Sequence, residues 1–446
     1  MKVHFYVLMA MSLITTQINA DEPTSSSNEV EEIVVSASIL NTSTINDPLY
    51  IIDGDEIMDD ATTSLGDAVD SYLGVSIADY GAAVGQPIIR GMSGPRVKIL
   101  KNGMVNRDVS SLGVDHLNDV DLNDISQVEI VKGPSSLLYA NGTIGGIINV
   151  VNDTVAKKDF EKQEINLGVE TQSVNDGDTQ QVNYKNNLNG FNVSLGYKNS
   201  EFGNFDIPSG AVIHSDHDEH EGEEEEAELS YLENSDFEVE ATKFGISKTG
   251  DWGYVGISFD NLESVYGIPF HGDDHGDEHG DEHGDEHGDE HGNLIHANYV
   301  QENAEFDGYE IEFGRTMNVG NGELTLSFGR DVVNAKFADG HNVPRINPAR
   351  NVYSLSYEQN DMVFKLSMKD VDQQNDIGEG ETVTKAYQML DTRLTKTFDV
   401  NGKGDLKVSL FGRNLLDEVA RNHASFVKNE VPLPGKNYGI KFRFSY

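Results

Sequence analysis

From about Gln163 to Tyr446, apolar and polar residues alternate with period two. INLGVETQS, FNVSLGYKNS, FEVEATKFGIS, YVGISFDNL, YEIEFGRT, LTLSFGR, VYSLSYEQ, VFKLSMK, QMLDTRLTKTF, LKVSLFG and YGIKFRFSY all follow it. A chain written this way gives each strand one apolar and one polar face. With the weaker TQQVNYKNN the segments make about twelve strands, each close to the roughly nine to eleven residues that a membrane-barrel strand needs. No segment offers the roughly twenty uninterrupted apolar residues of a helical span.

The connections sort by side. LNG (188–190), KTGDWG (248–253), VGNG (319–322), QND (359–361) and NGKG (401–404) are short, while the alternate connections are mostly long. Short turns on one rim and long loops on the other are the pattern of an outer-membrane barrel whose long loops face outside. A soluble β-sandwich could alternate equally well but would not sort its loops.

The two most acidic stretches belong to those long loops. HGDDHGDEHGDEHGDEHGDEHG (271–292) sets His at every fourth position, and HSDHDEHEGEEEE (214–226) repeats the composition. Overall the 446 residues carry 32 Lys and Arg against 76 Asp and Glu, a formal charge of -44, with no Cys. That balance argues against nucleic acid, which is bound by neutralising phosphate with Lys and Arg. The lack of Cys confines metal binding to His and carboxylate. Residues 1–20 read as a signal peptide, with Lys2, the apolar run FYVLMAMSLI and Ala20 before Asp21. DEPTSSSNE reads as an unfolded linker.

Residues 31–156 differ from the alternating part, being Gly-rich and closely punctuated. GQPIIRGMSGPRVKILKNGM, DVSSLGVDH and ISQVEIVKGPSSLLYANGTIGGIINVV, in that order and spacing, resemble the plug domain of TonB-dependent outer-membrane receptors. EEIVVSAS resembles their TonB box, and the final FRFSY resembles their last barrel strand. The resemblance implies an N-terminal α+β plug inside a membrane β-barrel. It also implies an energy-coupling TonB partner that takes Ile33, Val34, Val35, Ser36 and Ala37 as an added edge strand. The alternative for those five residues is simply the plug's first strand. The expected organisation is signal peptide 1–20, linker with TonB box 21–40, plug 41–156 and barrel 157–446, with His- and acid-rich outer loops at 202–235 and 266–298. Gly91, Gly94, Gly133, Gly142, Gly145 and Gly146 read as backbone necessities. Arg90, Arg96, Glu129 and Lys132 read as scaffold charges, some of them at the plug–barrel boundary.

Within the family, His-rich acidic loops together with an Asp-His pair in SSLGVDH are similar to zinc receptors. The candidate metal ligands are Asp115 and His116 in the plug, His214, His217 and His220 in one loop, and His271, His275, His279, His283, His287 and His291 in the other. The bland readings stay open: Asp115 and His116 bonded to each other, and a repeat expanded by replication slippage. As a helix the repeat would cost roughly 1 kcal/mol per Gly relative to Ala, so it reads as a tether offering several weak, exchangeable sites. His and carboxylate do not select zinc by strength alone. A haem or siderophore receptor, or a non-transporting metal-binding or adhesive surface protein, would share plug and barrel. No nucleophile-base pair or catalytic metal motif points to an enzyme, and no permanent cofactor is implied.

Members of the resembling family close about twenty-two strands around the plug. Twelve strands would enclose a backbone radius of roughly 12 Å, too narrow for a plug of roughly 18 Å. The expectation is therefore an incomplete wall, open on either side of the 271–292 repeat.

Overall fold

The computed structural model describes residues 49–60, 63–81, 83–111, 113, 116–118, 120–211, 230–269 and 302–446. The N-terminal part of this region is built on a five-stranded sheet. Its strands are β1 (Leu49–Asp53), β4 (Val97–Lys101), β5 (Met104–Val105), β6 (Ile125–Lys132) and β7 (Gly146–Asn152), in the order β1-β6-β7-β4-β5. A separate hairpin pairs β2 (Val75–Asp79) with β3 (Gly85–Ile89). Two short helices, α1 (Gly54–Asp59) and α2 (Leu65–Val69), begin at side-chain caps: Asp53 accepts from the Asp55 N–H and Ser64 from the Asp67 N–H.

Both faces of this small sheet are covered. Val128, Ile130, Ile148 and Val150 pack with Ile57 of α1 and Val69 of α2 on one side. Leu100, Val131 and Ile147 pack under Tyr139 on the other. The glycines fit the reading made from sequence. Gly133 turns the chain out of β6 at φ +78°, and at Gly146 an added Cβ would lie 2.7 Å from the Val131 carbonyl oxygen.

The alternating part forms one antiparallel sheet of twelve strands. They are β8 (Glu164–Gln172), β9 (Gly177–Leu188), β10 (Phe191–Phe202), β11 (Phe237–Gly250), β12 (Gly253–Tyr266), β13 (Ala304–Val319), β14 (Gly322–Phe337), β15 (Arg350–Gln359), β16 (Met362–Val371), β17 (Tyr387–Asp399), β18 (Asp405–Arg413) and β19 (Asn437–Ser445). β19 pairs with β8, joining the first and last strands of the wall, and the two edges fall on β12 and β13. Neither edge strand has a second strand partner among the described residues.

The alternation separates the two faces. Leu167, Val169, Phe244, Ile257, Ile311 and Phe442 stand exposed on the outer row. Gly168, Glu170, Lys243, Asp260, Glu310 and Lys441 occupy the row facing the plug. No described helix is long and apolar enough to cross a membrane. The rims differ as the connections predict. Asn189-Gly190 joins β9 to β10, and Asn360 with φ +52° begins the β15–β16 turn. On the opposite rim, residues 203–236, 267–303, 338–349, 372–386 and 414–436 form long connections, and only 173–176 is short there.

Candidate functional site at the plug and wall

Period two puts a basic side chain on the inner row of strand after strand from β15 to β19, and the helices α1 and α2 present acids to them. Arg413 bonds Asp67 at 2.8 Å, Arg443 bonds Asp59 at 3.1 Å and Asp55 at 3.2 Å, and Lys407 reaches Asp59 at 3.4 Å. Lys365 pairs with Glu56, Lys369 with Asp70 and Arg393 with Asp60. The member with the most bonds is Arg350. It bonds both Asp331 oxygens at 3.0 and 2.9 Å, the Asp70 and Tyr72 carbonyls at 2.6 and 2.8 Å, and the Val75 carbonyl. Burial alone would raise the Asp70 carboxyl, but the Lys369 ammonium and Arg350 guanidinium outweigh it and hold the group below the ordinary carboxylate range.

Toward the edges of the wall the signs reverse. Glu310 of β13 takes Arg90 at 2.7 Å and Lys132 at 2.5 Å, and Lys132 also donates to the Leu73 carbonyl at 3.0 Å. Asp260 of β12 takes Lys101 at 3.1 Å. On β11 and β9 the plug again supplies the acid: Asp121 meets Lys243 at 2.7 Å and Asp124 meets Lys185 at 3.0 Å. Two of the four scaffold charges singled out from the sequence, Arg90 and Lys132, thus stand on the plug–wall boundary. Glu129 is buried inside the plug sheet, where it accepts from Asn149 and Gln127, and Arg96 is exposed.

A cavity of about 440 Å³ remains between plug and wall, lined in part by Tyr50, Tyr72, Glu312, Lys365, Asp391 and Arg413. On the rim of long connections, loop 414–436 closes on the plug, and loop 372–386 packs against it. Asn422 donates to the Ile77 carbonyl at 2.8 Å and to Asp79 Oδ1 at 3.1 Å, and Ser425 donates to the Asp79 carbonyl at 2.8 Å. Burial pushes the Asp79 carboxyl up to about 7, against the bonds from Ser425 and Asn422. His423 is fully buried, with Nδ1 2.8 Å from Thr384 Oγ1 and Nε2 3.6 Å from Glu381 Oε2. None of these loop contacts was read from the sequence, since period two carries no information in a loop.

Of the candidate metal ligands, His116 alone lies among the described residues. Its carbonyl accepts from Gln86 Nε2 at 3.1 Å, and the same amide holds the carbonyls of Ser110 and Gly113 at 3.0 and 2.7 Å. Gln86 starts next to the β2–β3 tip that loop 414–436 grips, so His116 lies on the long-loop side of the plug. Asp115, His214, His217, His220, His271, His275, His279, His283, His287 and His291 lie outside the described residues, as do Ile33, Val34, Val35, Ser36 and Ala37. No group of three or more His, Asp or Glu suited to hold a metal occurs among the described residues.

Residues 41–147 match the TonB-dependent Receptor Plug Domain family. A hemin receptor of Yersinia enterocolitica is 27% identical over 146 residues, 32% of this chain and 21% of the receptor. A vitamin B12 transporter of Vibrio vulnificus is 29% identical over 120 residues, 26% of this chain and 19% of the transporter. The chain thus spans about a fifth of the length of the curated relatives it matches. Among solved structures, the copper transporter OprC superposes with a TM-score of 0.61 at 11% identity, covering 91% of this chain and 100% of that one. The FrpB iron transporter of Neisseria meningitidis superposes at 0.59 and 10% identity, covering 89% and 99%. With a segment that matches the TonB-dependent receptor plug and a twelve-stranded wall beside it, the chain has the plug-and-barrel fold of the outer-membrane receptors it superposes on.

Proposed function

We propose that the protein imports a divalent metal ion, zinc before others, gathering it on the His- and acid-rich loops and passing it by way of Asp115 and His116 into the periplasm. The observation that carries this reading is where the runs are tethered. Phe202, Phe237 and Tyr266, the strand ends flanking 203–236 and 267–303, are paired with one another on the long-loop rim. Both His-rich runs therefore leave the wall on one side, the side on which His116 lies in the plug. Two His with one or two carboxylates can close around zinc at about 2.0–2.2 Å, and many weak copies favour capture and release over storage. Energy would come through the TonB protein pairing with Ile33–Ala37.

Uptake of radiolabelled zinc by cells making the full chain tests this reading. Deleting 271–292 should raise the zinc concentration for half-maximal uptake and leave the saturated rate unchanged. Asp115→Ala with His116→Ala should lower the saturated rate, because a ligand on the path acts on passage and not on occupancy. Val34→Pro removes a backbone donor and should abolish uptake while surface zinc binding persists. Zinc-independent uptake of haem or a ferric siderophore, or normal uptake by Val34→Pro, would overturn it.

A further inference from the structure

The plug sheet lies across the opening of the wall. Its outer strand β1 is tied to β13 through Tyr50 Oη donating to Glu312 at 3.3 Å, and at its other side β4 is tied to β12 through Lys101 and Asp260. One sheet face packs on α1 and α2 toward the basic strands. The other, under Tyr139, carries the segment 134–144, where Leu137, Leu138 and Ile144 are each nearly half exposed. Met104 on β5 is 73% exposed. Residues 91–107 beside them hold Arg96, Lys98, Lys101 and Arg107 and no acid, and 133–146 hold no charge. An apolar, basic protein face in an opening bounded by two sheet edges is not a surface that lipid chains can satisfy.

Geometry sets the size of what is missing. A plug of about one hundred residues has an equivalent radius near 17 Å, and with a side-chain layer of about 5 Å it needs a wall of roughly twenty-two strands, about ten more than the chain supplies. A second copy does not fit. Two walls would close into twenty-four strands of radius about 23 Å, whose interior of roughly 1,000 Å² in cross-section cannot hold two plugs of about 900 Å² each.

The wall's charge rule describes the occupant. Wherever a described inner-row side chain of β12 or β13 meets a plug base it is a carboxylate, Asp260 to Lys101 and Glu310 to Arg90 and Lys132. We propose that the opening between β12 and β13 is closed by a different polypeptide that adds membrane β-strands to both edges. Its inner row presents carboxylates to Arg96, Lys98 and Arg107 and apolar side chains to Leu137, Leu138 and Ile144. This inference does not depend on which cargo the receptor carries.

The test is photo-crosslinking in native outer membranes, with p-benzoylphenylalanine placed in the full chain at Ile257 of β12 and, separately, at Ile311 of β13. Heat-dependent gel mobility confirms that each variant is folded. The expected result is an adduct from both positions to the same second polypeptide, whose crosslinked peptides alternate apolar and polar residues with carboxylates in the polar row. Arg96→Glu with Arg107→Glu should reduce its yield several-fold, and Lys403→Glu, in the exposed turn between β17 and β18, should not. Adducts to a second copy, adducts to lipid alone, adducts to unrelated proteins from the two positions, or a yield indifferent to the charge reversal would each overturn the proposal. Zinc is absent from the assay, so its outcome is independent of the uptake experiment.

Discussion

The arc of wall from β14 to β19 and the pair of edge strands β12 and β13 are built from the same alternating sequence, yet they hold the plug in different ways. On the first arc Arg350 and Arg393 are buried and meet acids of the plug, and loop 414–436 folds over the plug tip. On the second, most residues of β12 and β13 are exposed on both faces, and the pairs to the plug are partly open to solvent. Buried pairs depend on both members, because losing one strands the other in low dielectric. Exposed pairs contribute little. The plug is therefore held firmly along the buried arc and loosely at the two edges.

Arg350→Ala should give the largest effect. It would leave Asp331 and Asp70 without their shared guanidinium and cost about 3–5 kcal/mol, read as a fall in the thermal midpoint of detergent-solubilised protein. A loss no larger than that of an edge pair would erase the distinction between the two sides. The Lys132–Glu310 contact is intermediate, since Lys132 is buried and Glu310 is not. A double-mutant cycle with Lys132→Met and Glu310→Gln should return a coupling of about 1.5–3 kcal/mol.

Loop 414–436 should also respond to pH. The Asp79 carboxyl is raised by burial to about 7, so the folded state binds this proton more tightly than the unfolded chain does. Its stabilising contribution is full below the unfolded value near 4 and is lost as pH rises through about 7. Hydrogen exchange of 414–436 should quicken between pH 5 and 8 by the equivalent of about 1–2 kcal/mol, and Asp79→Asn should flatten that dependence. Equal acceleration in the variant would remove Asp79 from the account. Asp260→Ala should change the thermal midpoint least, by about 0–1 kcal/mol, and a larger loss would mean that the edge is held more firmly than its exposure suggests.

The strands were legible because a side chain's face in a strand is fixed by parity alone. QMLDTRLTKTF became Tyr387–Asp399 and LKVSLFG became Asp405–Arg413. The strands reached beyond their alternating cores where ladder bonds continue through residues of mixed character, as from Ala304 to Gly308 ahead of YEIEFGRT. Lys365, Arg393, Lys407 and Arg443 were visible as members of polar rows. Their partners on α1 and at its C-terminal cap were not, because pairing across the plug boundary joins residues more than three hundred positions apart. His423 with Glu381 was invisible because a loop carries no period.

The ion pairs also give the plug a heading. Its acids occupy one arc and its bases another, with the wall charged in the opposite sense around its circumference. Turning the plug so that Asp60 left Arg393 on β17 for Glu310 on β13 would replace attraction by repulsion. A round container would accept a round body at any angle, but this one is keyed, so the sequence specifies an azimuth as well as a fold. The plug therefore fits its wall at one setting only, much as a splined shaft fits its hub.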